Sequence, residues 1–448
     1  MSDLLFYLYI FGIFLVGVAS YKKIGGTKDF YIAGGNASVL RLTGSLLATI
    51  LGSSAIIGSV NFSTRNGWAG SWFMICAALG LGVLYFILEK LRTFKGYNLP
   101  ELLGDFYGIE VNKIASFVIP IAWTGIVASQ IMGAAMIVSK MTSIAYTSGI
   151  WISGLVFIAY TCLGGQLSII KTDFIQFLFI IFGLFFCFMY TSFNYDLGDA
   201  LPLISYKFGY KELVVMLLTY STTFFVGPDI YSRIFCAKDL KTAKKAIILS
   251  IVILLPLSYI LSSLGIHAAA LIGDRVVDSS LIFLIEEILP KSMAVLMYFC
   301  LLSAVISSAD TTLLTASSML TQIFIGNLKN KKSIGITRIF IIFLGVVSIY
   351  IALKMKFILS SIFLAFSIYS GAFIIPTFLG ILGYRASKGY VILAIFAGGG
   401  LALIGKIYGG QSGNIYIIFA FVLNTLILGI PYIFKKKRDN LVKNQSTY

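Results

Sequence analysis

Apolar residues along this chain fall in long unbroken runs separated by short polar stretches, and the runs carry no period-2 alternation. A transmembrane helix needs about twenty apolar residues. On that measure the runs predict helices over 4–20, 40–62, 69–89, 114–140, 147–164, 169–192, 213–232, 244–272, 292–325, 335–353, 357–382, 389–406 and 414–434. Lipid offers no water to backbone polar groups, so only helices and closed barrels span it. Barrel strands would alternate apolar and polar positions. The fold class is therefore an all-α polytopic membrane protein with about 13 transmembrane helices. The longest polar stretches, around 193–212 and 274–291, are too short to build a soluble domain.

Composition agrees with that picture. Of 448 residues, 58% are hydrophobic and 12% charged, against roughly 25% charged in soluble domains. The first run is read as a retained helix rather than a signal peptide, because Asp3 precedes it and the basic pair Lys22 and Lys23 follows it. The net charge of +16 is not spread evenly. With the N-terminus outside, 25 of the 34 Lys and Arg residues fall in cytoplasmic segments, Arg233 among them. Such asymmetry orients membrane proteins and makes nucleic-acid binding an unneeded explanation. It puts the chain in the cytoplasmic membrane with its C-terminus inside. The segments 1–39 (first helix and loop), 389–434 (two accessory helices) and 435–448 (basic cytoplasmic tail) flank a core.

Enzyme chemistry finds little support. No GxxxxGK[ST], HExxH or GxSxG pattern occurs, the single histidine is His267, and Cys76, Cys162, Cys187, Cys236 and Cys300 lack CxxC spacing. Attention moves to polar residues at membrane depth, which are costly there. The stretch 44–58 holds Gly44, Gly52 and Gly58 with hydroxyls at Ser45, Thr49, Ser53 and Ser54. Such residues either interrupt the helix, freeing carbonyls for a cation, or let helices pack closely. In a helix over 302–318, Ala304, Ser307, Ser308, Thr311 and Thr315 share one stripe, with Asp310 beside it. Hydroxyls with one carboxylate suit a small hard cation; they also suit ordinary bonds to the i−4 carbonyl. Asp173 begins an apolar helix, where the macrodipole favours an acid. Asp229 follows Gly227-Pro228, which interrupts the seventh span. Two interrupted helices five spans apart point to inverted repeats with a site at the midplane.

At these residues the chain resembles the sodium:solute symporter family, whose members include proline, pantothenate, sialic acid, galactose and choline symporters. The likeness runs from Phe30 to Leu382 and rests on S-x-x-A-T-x-x-G at 45–52, GGQLSIIKTDFIQ at 164–176, GPDIYSRIFCAKD at 227–239 and LSAVISSADTTLLTASS at 302–318. It implies a five-plus-five inverted-repeat core of the LeuT type, with core repeats at 40–192 and 213–382, one helix before and two after. It also implies a sodium site from the carbonyls of Ala48, Leu51 and Ala304 and the hydroxyls of Ser307 and Ser308. Some relatives add a second cation site; here its positions fall on Asp173, Asp310 and Thr311, so one hydroxyl has become a carboxylate. Ile50 stands where the choline branch has a tryptophan.

The expectation is a sodium-coupled symporter that imports a small organic solute by alternating access. Ser53, Ser54, Gln130, Thr222 and Thr223 are the expected solute contacts. The partners are that solute, Na⁺ as the coupling ion and the lipid bilayer, with no organic cofactor and no nucleic acid. The oligomeric state is open, with a monomer as one reading. A proton-coupled transporter of the same fold, a channel or a derived sensor are the alternatives.

Overall fold

The computed structural model describes residues 2–92, 94, 96–142, 144–355, 358–408 and 415–445, without the side chains of 2–7, 53, 92, 358–364 and 431–445. Among the described residues the fold is helical, with one isolated bridge pair as its only β pairing. The helices are α1 (Ser2–Tyr21), α2 (Thr27–Ile32), α3 (Val39–Ile50), α4 (Ser53–Asn66), α5 (Trp72–Arg92), α6 (Leu99–Tyr107), α7 (Ile109–Thr142) and α8 (Tyr146–Asn194). They continue as α9 (Tyr210–Met216), α10 (Thr222–Val226), α11 (Pro228–Ile234), α12 (Leu240–Ile272), α13 (Ser280–Phe283) and α14 (Lys291–Ile325). The last are α15 (Lys332–Lys354), α16 (Ile358–Ile381), α17 (Lys388–Tyr408) and α18 (Ile415–Gln445).

Among the described residues eight helical stretches, two of them (Ser54–Leu91 and Tyr210–Ile234) joining several of these helices, are long and apolar enough to cross a bilayer, and four more apolar helices are shorter. The expected count of thirteen divides some of them further. At 1.5 Å per residue α8 would run about 74 Å, more than twice the ~30 Å hydrocarbon layer. Gly165 divides it: φ is 51° and ψ is −158°, a conformation open to glycine but not to side chains with a Cβ. The short helices α2, α6 and α13 were not in the expected set. Helix α18 runs on through the basic segment at 435–445, which was read as a tail.

Polarity is arranged for lipid outside and polar contacts inside. Ile175, Leu178, Phe182 and Phe186 form an exposed apolar stripe on α8, one turn apart as helical geometry requires. Helix α14 is buried from Met297 to Gln322 and packs on α8, α7 and α3. It is the axial helix of the structure, and it carries the hydroxyl stripe.

Both expected interruptions are present. Helix α3 ends at Ile50, Gly52 is extended (φ −57°, ψ 159°), and α4 starts at Ser53. The close-packing reading of this stretch holds as well, at a different glycine. A Cβ on Gly44 would stand 3.1 Å from the Cα of Phe174, so glycine lets α3 approach α8. In the second interruption Gly227 is extended (φ −61°, ψ 132°) between α10 and α11. A five-residue π-helical turn, Leu217–Ser221, precedes α10. The chain entering α3 and the chain leaving α11 are tied side by side: Ala37 N–H donates to Cys236 O (2.9 Å) and Lys238 N–H to Ala37 O (3.3 Å).

Candidate ion and solute site

Where α3 stops, its last carbonyls lose their intrahelical donors, and α14 lies alongside. Ser307 Oγ donates to Ala48 O at 2.9 Å and lies 3.2 Å from Ala304 O. Ser308 Oγ donates to Thr49 O at 3.2 Å. Leu51, at the break itself, is fully buried. A Cβ on Gly52 would sit 2.7 Å from Ser308 Oγ, so the residue type keeps the two helices this close. Residues separated by about 250 positions thus bring carbonyl and hydroxyl oxygens into one seam, all with lone pairs and none with a fixed positive charge.

The second constellation is built differently from the expectation. Arg233, counted from sequence among the cytoplasmic loop charges, is fully buried on α11. Its Nη2 donates to Asp173 Oδ2 at 3.0 Å and also to the Thr311 hydroxyl. Ser45 donates to the same Asp173 oxygen. Asp310, 1% exposed, accepts from Thr161 at 3.2 Å. Two of the three residues set aside for a second cation therefore already hold a guanidinium of the chain. The sequence signal was available: Arg233 sits one turn after Asp229 in a stretch still apolar enough to be membrane-embedded. A rule that assigns positive charges to loops hides it.

A cavity of about 90 Å³, measured as the space open to the centre of a water molecule, lies beside the seam and is lined by Thr49, Gly52, Ser308 and Thr312 among others. One water needs roughly 10–15 Å³ on that measure, so a solute of several heavy atoms fits. Of the expected solute contacts, Ser54, Gln130 and Thr223 line the cavity. Thr222 does not; its hydroxyl bonds Leu218 O one turn back, at 2.6 Å. The Ser53 side chain lies outside the described residues. Sequence reasoning missed the aromatic wall of Phe73, Tyr220, Phe224 and Phe366, which arrives from three separate spans. It also did not place Trp123 and Asp229 at the cavity. Trp123 Nε1 donates to both Asp229 carboxylate oxygens at 3.0 Å, and Thr312 Oγ1 lies 3.4 Å from one of them. Thr312 also donates to Ser308 O at 2.7 Å, so the cavity and the seam share one turn of α14.

Two interrupted helices, the fully buried stretch of α14 and a mostly apolar, aromatic-walled cavity between them make up a multi-pass helical fold of the LeuT type. The same architecture is found in a Na⁺-coupled sialic acid symporter in a substrate-bound, outward-open state, at a TM-score of 0.79 and 19% identity over 94% of this chain and 96% of that one. It recurs in Mhp1, a nucleobase-cation-symport-1 family transporter, at a TM-score of 0.62 and 13% identity over 91% and 95%. The model of the sodium:solute symporter family matches residues 30–200. The sodium/proline symporter of Haemophilus influenzae is 22% identical over 78% of this chain and 77% of its own length. The high-affinity proline transporter PutP of Bacillus subtilis is also 22% identical, over 87% and 89%. The chain is thus similar, over residues 30–200 and beyond, to members of the sodium:solute symporter family.

Proposed function

We propose that this protein imports a small organic solute with sodium by alternating access, and that the ion binds at the seam between α3 and α14. One observation carries the site: the hydroxyls of Ser307 and Ser308 meet the carbonyls of Ala48 and Thr49 where α3 is interrupted. Hydroxyl and carbonyl oxygens are the ligands a hard monovalent ion takes, and rotating two serine hydrogens away from the carbonyls turns their oxygens toward it. The proposed ligands are the carbonyls of Ala48, Leu51 and Ala304 and the hydroxyls of Ser307 and Ser308.

A bound cation fixes the loosened end of α3. Because Thr312 touches both Ser308 O and Asp229, order at the seam is felt in the cavity. Sodium then needs only a few kcal/mol of preference for the solute-accepting state to shift its population. The membrane potential contributes about 2.3 kcal/mol per charge per 100 mV. One sodium per cycle is the reading that fits Arg233, since its guanidinium already neutralises Asp173 and engages Thr311. The frame is a pair of inverted repeats over 40–192 and 213–382, in the cytoplasmic membrane with the N-terminus outside and the C-terminus inside.

The experiment is uptake into proteoliposomes of purified protein, with and without an inward sodium gradient, across amino acids, sialic acid, pantothenate, sugars and monocarboxylates. Accumulation that requires the gradient is expected. Equal accumulation of the transported solute in sodium-free buffer overturns the reading.

A further inference from the structure

We infer that the transported solute carries a cationic nitrogen and that Asp229 recognises it. This rests on the symport reading of the central cavity and adds the chemistry of what the cavity accepts.

Asp229 is the second residue of α11, directly after the interruption at Gly227, and it faces the cavity. A carboxylate at membrane depth is costly and normally has an identifiable partner. The side chains in hydrogen-bond reach of Asp229 are Trp123, whose Nε1 donates to both carboxylate oxygens, and the hydroxyls of Thr312 and Thr315, all neutral. They satisfy lone pairs and leave the charge. Among the described residues the ion pairs employ Lys140, Arg233, Lys244 and Lys388, and none is made to Asp229. Arg233, four residues on, is near enough for its charge to attract Asp229, but its guanidinium is paired with Asp173.

The rest of the cavity has the same preference. Phe73 and Phe224 pack edge-on against Tyr220 at centroid distances of 5.3 and 5.1 Å, and Phe366 stands 6.2 Å from it. Ring faces attract cations and repel anions. A solute ammonium against Asp229 thus gains a counter-ion, an aromatic surround and a place one hydroxyl away from the sodium seam. A solute whose only charge is negative meets like charge in a low-dielectric cavity. The second charge of a zwitterion is compatible with this arrangement; the cationic nitrogen is the required part.

The test is thermal unfolding of the purified protein in detergent, titrated with n-propylammonium, propionate or 1-propanol in sodium and in potassium buffer. Sodium alone is expected to stabilise wild type and Asp229→Asn equally. In sodium, propylammonium stabilises wild type further, propionate and propanol do not, and Asp229→Asn shifts the propylammonium midpoint at least tenfold. Propylammonium acting no better than propanol on wild type overturns the inference. So does a folded Asp229→Asn protein with an unchanged midpoint, or one that loses the sodium response, which would make Asp229 an ion ligand. If Asp229→Asn does not fold, Asp229→Glu carries the test: it retains the charge and should keep the preference for propylammonium, and its absence in a folded protein is a refutation. Wild type that responds to propylammonium but not to sodium strikes the sodium seam and leaves this inference standing.

Discussion

Replacing Arg233 with alanine strips the counter-ion from a carboxylate that has no access to water. The pair is 3.0 Å apart, with the two side chains 0% and 1% exposed. At an effective dielectric constant of about 20, charges at that distance attract by roughly 5.5 kcal/mol. Breaking a buried pair by removing one partner costs about 3–5 kcal/mol, because the other charge is left uncompensated. Arg233→Ala is therefore expected to lower the thermal midpoint of the purified protein steeply. Asp173→Asn made alone strands the guanidinium and should do likewise. The double variant Arg233→Ala with Asp173→Asn removes both charges, so it should recover much of the loss. The assay is a double-mutant cycle on unfolding midpoints, with a coupling energy of several kcal/mol expected. A double variant no more stable than Arg233→Ala alone, or an Arg233→Ala protein as stable as wild type, would refute the assignment of Arg233 as the resident cation of this cluster.

Two further outcomes follow from the geometry. Ser307→Ala with Ser308→Ala removes both hydroxyls that face Ala48 and Thr49; the sodium concentration for half-maximal uptake should rise about tenfold or more, on the order of 1.4 kcal/mol, and an unchanged value moves the ion elsewhere. Gly165→Ala places a Cβ 2.8 Å from Phe30 O at a φ of +51°; strain of about 1–3 kcal/mol should appear as a thermal midpoint several degrees lower, and an unchanged midpoint shows that the kink in α8 relaxes freely.

Much of the architecture was legible because lipid leaves so few options. Apolar run length alone located most of the helices, and residues that weaken a helix marked the stretches, 44–58 and Gly227-Pro228, in which the two interruptions fall. The meeting of Ala48 with Ser307 was reached only through the family resemblance, since no periodicity links positions so far apart. What escaped was set by packing between elements. Arg233 looked like a loop charge because positive residues were assigned to loops; its place one turn after Asp229 hinted at burial, but nothing local pointed to its partner Asp173 on α8. The aromatic wall likewise draws Phe73, Tyr220, Phe224 and Phe366 from different segments, each of which reads as an ordinary lipid-facing or core residue in its own helix. Thr222 lies outside the cavity lining while its neighbour Thr223 is in it, because a helix turns about 100° between them.

The backbone tie between Ala37 and the Cys236–Lys238 segment constrains how the cavity can open. It splices the entry of one interrupted helix to the exit of the other, so α3 and α11, the half-helices on the proposed cytoplasmic side, are joined to each other. Any swing that unseals this end of the cavity carries the serine-facing carbonyls and the Asp173-bound guanidinium along together. On the proposed sodium site, letting the ion go and disturbing the internal charge pair would be two faces of a single stroke.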